Sequence, residues 1–139
     1  MKLLLPAILV SLSLLAGCAS TNQRVLDIGD ETQLQKRSYQ SRTFETADKE
    51  KVLRATVSTL QDLGFIIDRA DLMLGSVSST KLEGHQIKIT VSVRSKGTDR
   101  MMVRANAQFN ITPVEDPKHY QDFFASLGKS LFLTAHAGE

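Results

Sequence analysis

Two runs of strict alternation constrain this chain more than any other feature. Ile87, Ile89, Val91 and Val93 alternate with Gln86, Lys88, Thr90, Ser92 and Arg94. After a short interval Met101, Val103, Ala105, Ala107, Phe109 and Ile111 alternate with Met102, Arg104, Asn106, Gln108, Asn110 and Thr112. Side chains of a strand point to opposite faces with a period of two, so each run demands a sheet with one buried face and one wet face. Ser95-Lys96-Gly97-Thr98-Asp99 between them is a hairpin loop with a glycine to turn on.

A half-buried sheet needs a cover. Thr46 or Asp48 can cap a helix whose Val52, Thr56, Leu60 and Leu63 share one face, widened by Leu53 and Val57. Gly64 supplies its stop and Phe65 a closing apolar contact. A second helix begins at Asp116 with Pro117 in the first turn, and Tyr120, Phe123, Phe124, Leu127, Leu131 and Ala135 form its stripe. Strands are expected at Tyr39–Glu45, Phe65–Asp71 and Leu74–Lys81. The order is then β-α-β-β-β-β-α, an α+β fold with a single antiparallel sheet and both helices on one face.

The N-terminus reads as an export signal. Lys2 precedes an apolar run from Leu3 to Leu15 and then small residues. That run is too short for a spanning helix, which needs roughly 20 residues. Leu15-Ala16-Gly17-Cys18 resembles the lipobox of bacterial prolipoproteins. The resemblance implies that Leu15, Ala16 and Gly17 are read by a signal peptidase. Cys18 then becomes the new N-terminus and carries diacylglycerol and a further acyl chain such as palmitate. Several acyl chains, at about 0.8 kcal/mol per buried methylene, make such an anchor permanent. Ala19 stands where Asp holds lipoproteins of enteric-type bacteria at the inner membrane, so the resemblance favours the outer membrane, with the domain in the periplasm. Residues 1–17 are thus expected to be removed, 18–37 to form a polar tether, and 38–139 to fold.

Charge and composition exclude some functions. The formal charge of +2 falls to about +1 without Lys2, too little for binding nucleic acid through its phosphates. The absence of Trp leaves no evident platform for stacking bases. Cys18 is the only cysteine, so the folded part has no internal disulfide and relies on its apolar core.

Catalytic patterns are missing. His85 is expected in a turn, His119 in the first turn of the last helix and His136 near the end; none has the spacing of a metal site. Ser78–Lys81 and Ser126–Lys129 match Ser-x-x-Lys, but the companion motifs of the penicillin-binding enzymes are absent, and the first pair falls at a strand end. Asp68 and Asp71 read as solvated loop carboxylates. The sequence therefore implies neither enzyme nor cofactor nor bound metal, and binding surfaces are what remain.

Three such surfaces stand out. The wet sheet face offers Lys88, Arg94, Arg104, Asn106 and Gln108 to a partner. Tyr39–Glu45 or Leu74–Lys81 can form an open sheet edge. A cleft between the last helix and the sheet, lined by Phe123, Phe124 and Phe132, can take an apolar ligand.

The segments Arg42-Thr-Phe-Glu-Thr, Leu60-Gln-Asp-Leu-Gly-Phe65 and Leu74-Gly-Ser-Val…Lys81 resemble a broad group of small envelope lipoproteins of unknown activity. More distantly, the element order over 39–137 is similar to the helix-grip domains of the C lipoprotein of the outer-membrane β-barrel assembly machinery. The resemblance implies a fold and an envelope-protein partner. It assigns no binding residue and no oligomeric state.

Overall fold

The computed structural model describes residues 33–136. The signal segment, Leu15, Ala16, Gly17 and Cys18 lie outside the described residues. The elements are a helix α1 over residues 33–40, β1 Ser41–Phe44, α2 Lys49–Asp62, β2 Ile66–Asp71, β3 Ser76–Glu83, β4 His85–Lys96, β5 Arg100–Phe109, the two-residue β6 Thr112–Pro113, and α3 Pro117–His136. All strand pairs are antiparallel, in the order β1-β5-β4-β3-β2, with β6 beside β5. The expected α+β architecture is present.

The alternation translates directly into layers. Ile89 faces Ala107, Val91 faces Ala105 and Val93 faces Val103 across the β4–β5 hairpin, and all six are buried. Val77 continues this inner face on β3. Val52, Leu53, Ala55 and Leu60 of α2, with Tyr120, Phe123, Phe124 and Leu127 of α3, complete the core. Burial of aliphatic and aromatic side chains of this size contributes about 1.5–3 kcal/mol each, so the core is stabilised mainly by this one layer contact.

Helix ends follow their signals. Asp48 caps α2, its carboxylate accepting from Lys51 N–H at 2.9 Å, while Thr46 Oγ1 accepts from Asp48 N–H. At the other end Gly64, at φ +83°, donates to Gln61 O and Phe65 N–H reaches back to Leu60 O, the two bonds of a Schellman stop. Asp116 accepts from Lys118 N–H at 2.9 Å at the start of α3.

Several boundaries differ from the sequence-based expectation. The chain is helical over 33–40, so residues 33–37, expected in an irregular tether, are helical, and Tyr39 and Gln40 are not in the first strand. Lys36 pairs with Glu115 at 2.5 Å and Tyr39 packs 5.3 Å from the Tyr120 ring, long-range contacts that no local pattern announces. The third strand begins at Ser76 because Asp71 folds the preceding residues into a turn, accepting from Leu74 N–H. It is also interior, flanked by β2 and β4, so Leu74–Lys81 is not an edge; the edges are β1, β6 and β2. Asp68 and Asp71 lie in β2 rather than a loop, and Ser78–Lys81 lies within β3 rather than at its end. His85 opens β4, with its ring 4.8 Å from that of Phe109. Ile111 leaves the alternation: Asn110, at φ +55°, turns the chain and Ile111 is 91% exposed.

Candidate functional site

An apolar cleft with a volume of about 460 Å³ lies between α3 and the sheet. Its floor is Ile87, Ile89, Ala107 and Phe109, inner-face residues of β4 and β5. Phe123 and Tyr120 form one wall, and Leu63 and Phe65, at the Schellman corner of α2, the other. Size and apolar lining match those of small-molecule sites, which run from roughly 300 to 1,000 Å³.

Few polar groups reach the cleft, and most are already engaged. Lys81 Nζ lies 2.8 Å from Glu83 and donates to Leu63 O at 3.2 Å. Leu63 ends α2, so the ammonium satisfies a terminal carbonyl where the helix dipole favours a cation. Gly64 is required here by its φ of +83° rather than by space, since a Cβ there would only touch Lys81 Cε at 3.4 Å. The Tyr120 hydroxyl donates to Val114 O at 2.8 Å and accepts from Ala107 N–H at 3.2 Å. His119 and Asp122 of α3 complete the rim.

Only part of the aromatic lining matches expectation. Phe123 lines the cleft; Phe124 is turned into the core, with the Arg42 guanidinium 5.9 Å from its ring centre, and Phe132 is exposed. Tyr120, Phe65 and Phe109 take their places. Phe65 comes from another element, and its arrival here depends on the path of α2 across the sheet, which helical spacing does not encode.

The opposite face of the sheet carries the second site. Lys88 pairs in register with Gln108, Thr90 with Asn106, Ser92 with Arg104 and Arg94 with Met102. Lys88, Arg94, Arg104, Asn106 and Gln108 therefore share one surface, and all five are exposed. Among the described residues none of the three cations has a carboxylate partner. Ser76, Ser78 and Thr80 of β3 extend the polar surface, which ends at Asp68 and Asp71 on β2. Thr80 Oγ1 donates to Asp68 at 2.7 Å, and Asp71 pairs with Arg69 at 3.2 Å.

One edge of β5 is closed by a side chain. β1 covers Met101–Arg104 and β6 covers Gln108–Phe109, and Tyr120 bonds Ala107 in the gap between them. Among the described residues no three His, Cys, Asp or Glu side chains are arranged to hold a metal ion, and no helix is long and apolar enough to cross a membrane. No protein-family model matches this chain, and no curated protein is significantly similar to it.

Proposed function

We propose that this protein is a membrane-anchored periplasmic lipoprotein, held at the outer membrane through Cys18, whose domain serves as a non-catalytic docking module of an envelope assembly, secretion or efflux complex. The observation that carries this reading is the exposed sheet face, where Lys88, Arg94 and Arg104 stand among neutral hydrogen-bonding side chains and have no acidic partner among the described residues. A flat surface of this kind complements an acidic patch on a protein, where charge sets encounter rate and register more than affinity. The lipobox resemblance supplies the anchor.

The test is crosslinking and capture from intact cells with the full-length protein, Cys18→Ala, and Lys88→Gln/Arg94→Gln/Arg104→Gln. A membrane-protein partner lost in both variants supports the proposal. Capture that is indifferent to all three sheet charges removes the face from it, and the absence of any specific partner refutes it.

The apolar cleft favours a second reading, a carrier of a small apolar ligand or lipid. Gentle ionisation mass spectrometry of the purified protein, with Ala107→Leu narrowing the cleft floor, distinguishes the two. A bound lipid lost in Ala107→Leu supports the carrier.

A further inference from the structure

The turn joining β2 to β3 presents three consecutive apolar side chains to solvent. Leu72 is 56%, Met73 92% and Leu74 69% exposed. Single exposed apolar residues are ordinary, but three together at a loop tip are not, since an exposed apolar cluster lowers solubility unless something covers it.

The turn is also firmly built. Asp71 accepts from Leu74 N–H at 2.8 Å, Gly75 N–H donates to Asp71 O at 2.8 Å, and Val93 N–H donates to Gly75 O at 2.7 Å. Lys49 Nζ donates to Met73 O at 2.9 Å, bracing the tip from α2. Gly75, at φ +70°, sits so tightly that a Cβ would meet Val93 O at 2.5 Å. The backbone polar groups are thus tied inward while the side chains point out.

Two cations, Lys49 and Arg94, flank the tip. The carboxylates nearest it are occupied: Asp71 with Arg69, Glu50 with Arg54, Asp48 with the Lys51 N–H. Lys49 and Arg94 have no carboxylate partner among the described residues, whereas the Lys96 ammonium donates to Thr43 Oγ1 on β1, away from the turn; Glu45 is the one exposed acid without a partner at this end. Arg94 follows Val93, which is bonded to Gly75, so it flanks the turn directly.

The geometry points to a membrane-contact site: Leu72, Met73 and Leu74 enter the interfacial layer of an anionic bilayer while Lys49 and Arg94 meet its head groups. A convex tip with diverging side chains suits a fluid apolar medium better than a shaped protein pocket, and the flanking cations match the negative surface of anionic lipid. The site rests on the lipoprotein reading only for its strength, because an anchored domain meets the surface at high effective concentration.

The chain contains no Trp, so a single introduced Trp reports the position of the tip. Full-length Met73→Trp is reconstituted in vesicles of phosphatidylethanolamine and phosphatidylglycerol, with Leu82→Trp, an exposed site at the far end of β3, as control. The expected result is blue-shifted emission and quenching by brominated acyl chains for Met73→Trp alone. Replacing Leu72, Met73 and Leu74 by Ser weakens vesicle association of the Cys18→Ala chain by about tenfold or more. Cosedimentation of the Cys18 protein reads the anchor separately from the depth of the tip. Water-like emission at both positions, or equal quenching at both, overturns the site. So does a blue shift that appears in native envelope membranes but not in pure lipid, which would make the occupant a protein.

Discussion

Replacing Tyr120 by Phe removes one oxygen from a side chain that is 1% exposed and leaves its ring in place against Tyr39. That oxygen accepts from Ala107 N–H at 3.2 Å and donates to Val114 O at 2.8 Å, in the gap of the β5 edge between β1 and β6. Ala107 is buried, so its N–H is left without a partner, at a cost of about 1–3 kcal/mol. Val114 is only partly buried, and losing its bond to the hydroxyl adds about 0.5–1 kcal/mol. The expected loss is therefore about 1.5–4 kcal/mol. For a domain of roughly 100 residues this lowers Tm by about 6–30 °C. Urea unfolding followed by circular dichroism measures the loss, with an unchanged slope showing that the native fold is retained. Amide exchange adds a local readout: the Ala107 N–H loses protection while amides of the β3–β4 ladder keep theirs. A stability change under about 0.5 kcal/mol refutes the reasoning, because the hydroxyl would not then be what satisfies the edge.

Other perturbations follow from the same geometry. Gly75→Ala and Gly84→Ala both place a side chain at positive φ, +70° and +73°, but only the first meets Val93 O. Gly84→Ala is expected to cost about 1–2 kcal/mol and Gly75→Ala at least about 1–3 kcal/mol more, measured side by side by urea unfolding; equal losses would refute the close contact. Thr59→Val replaces a buried hydroxyl that has no hydrogen-bond partner among the described residues, so thermal unfolding is expected to show a neutral to stabilising change of up to about 1 kcal/mol, and a loss above that would reveal a bond the hydroxyl makes. The Leu74 N–H bond, assisted by Arg69, holds the Asp71 carboxyl below its ordinary 3.8. Asp71 thus adds stability above that ordinary value, and the contribution is lost as pH falls through its lower folded value. Asp71→Asn is expected to flatten the acid limb of stability against pH from about pH 4 downward; an unchanged limb would contradict the role of the bond.

The periodic parts of this chain determine themselves. Alternation over 86–109 dictates which side chains are buried, because a one-residue slip would expose the whole apolar set. Caps at Asp48 and Asp116 and the stop at Gly64 act on backbone groups within a few residues, so they are readable locally. The placement of Lys88, Arg94, Arg104, Asn106 and Gln108 on one face follows from the same period of two. Tertiary structure decided what depends on distant partners. Residues 33–37 read as the end of a polar tether and Tyr39–Gln40 as the start of a strand, yet all lie in one helix, from which Lys36 reaches Glu115 and Tyr39 reaches Tyr120. Leu74–Lys81 reads as a candidate edge, but it lies inside the sheet because β2 folds back beside it. The cleft gathers Phe65, Phe109 and Tyr120 from three elements, while Phe132, at helical spacing from Phe124, is left outside. Period and capping are properties of neighbouring residues, whereas strand order and the crossing of helices over a sheet are settled by contacts between residues far apart in the chain.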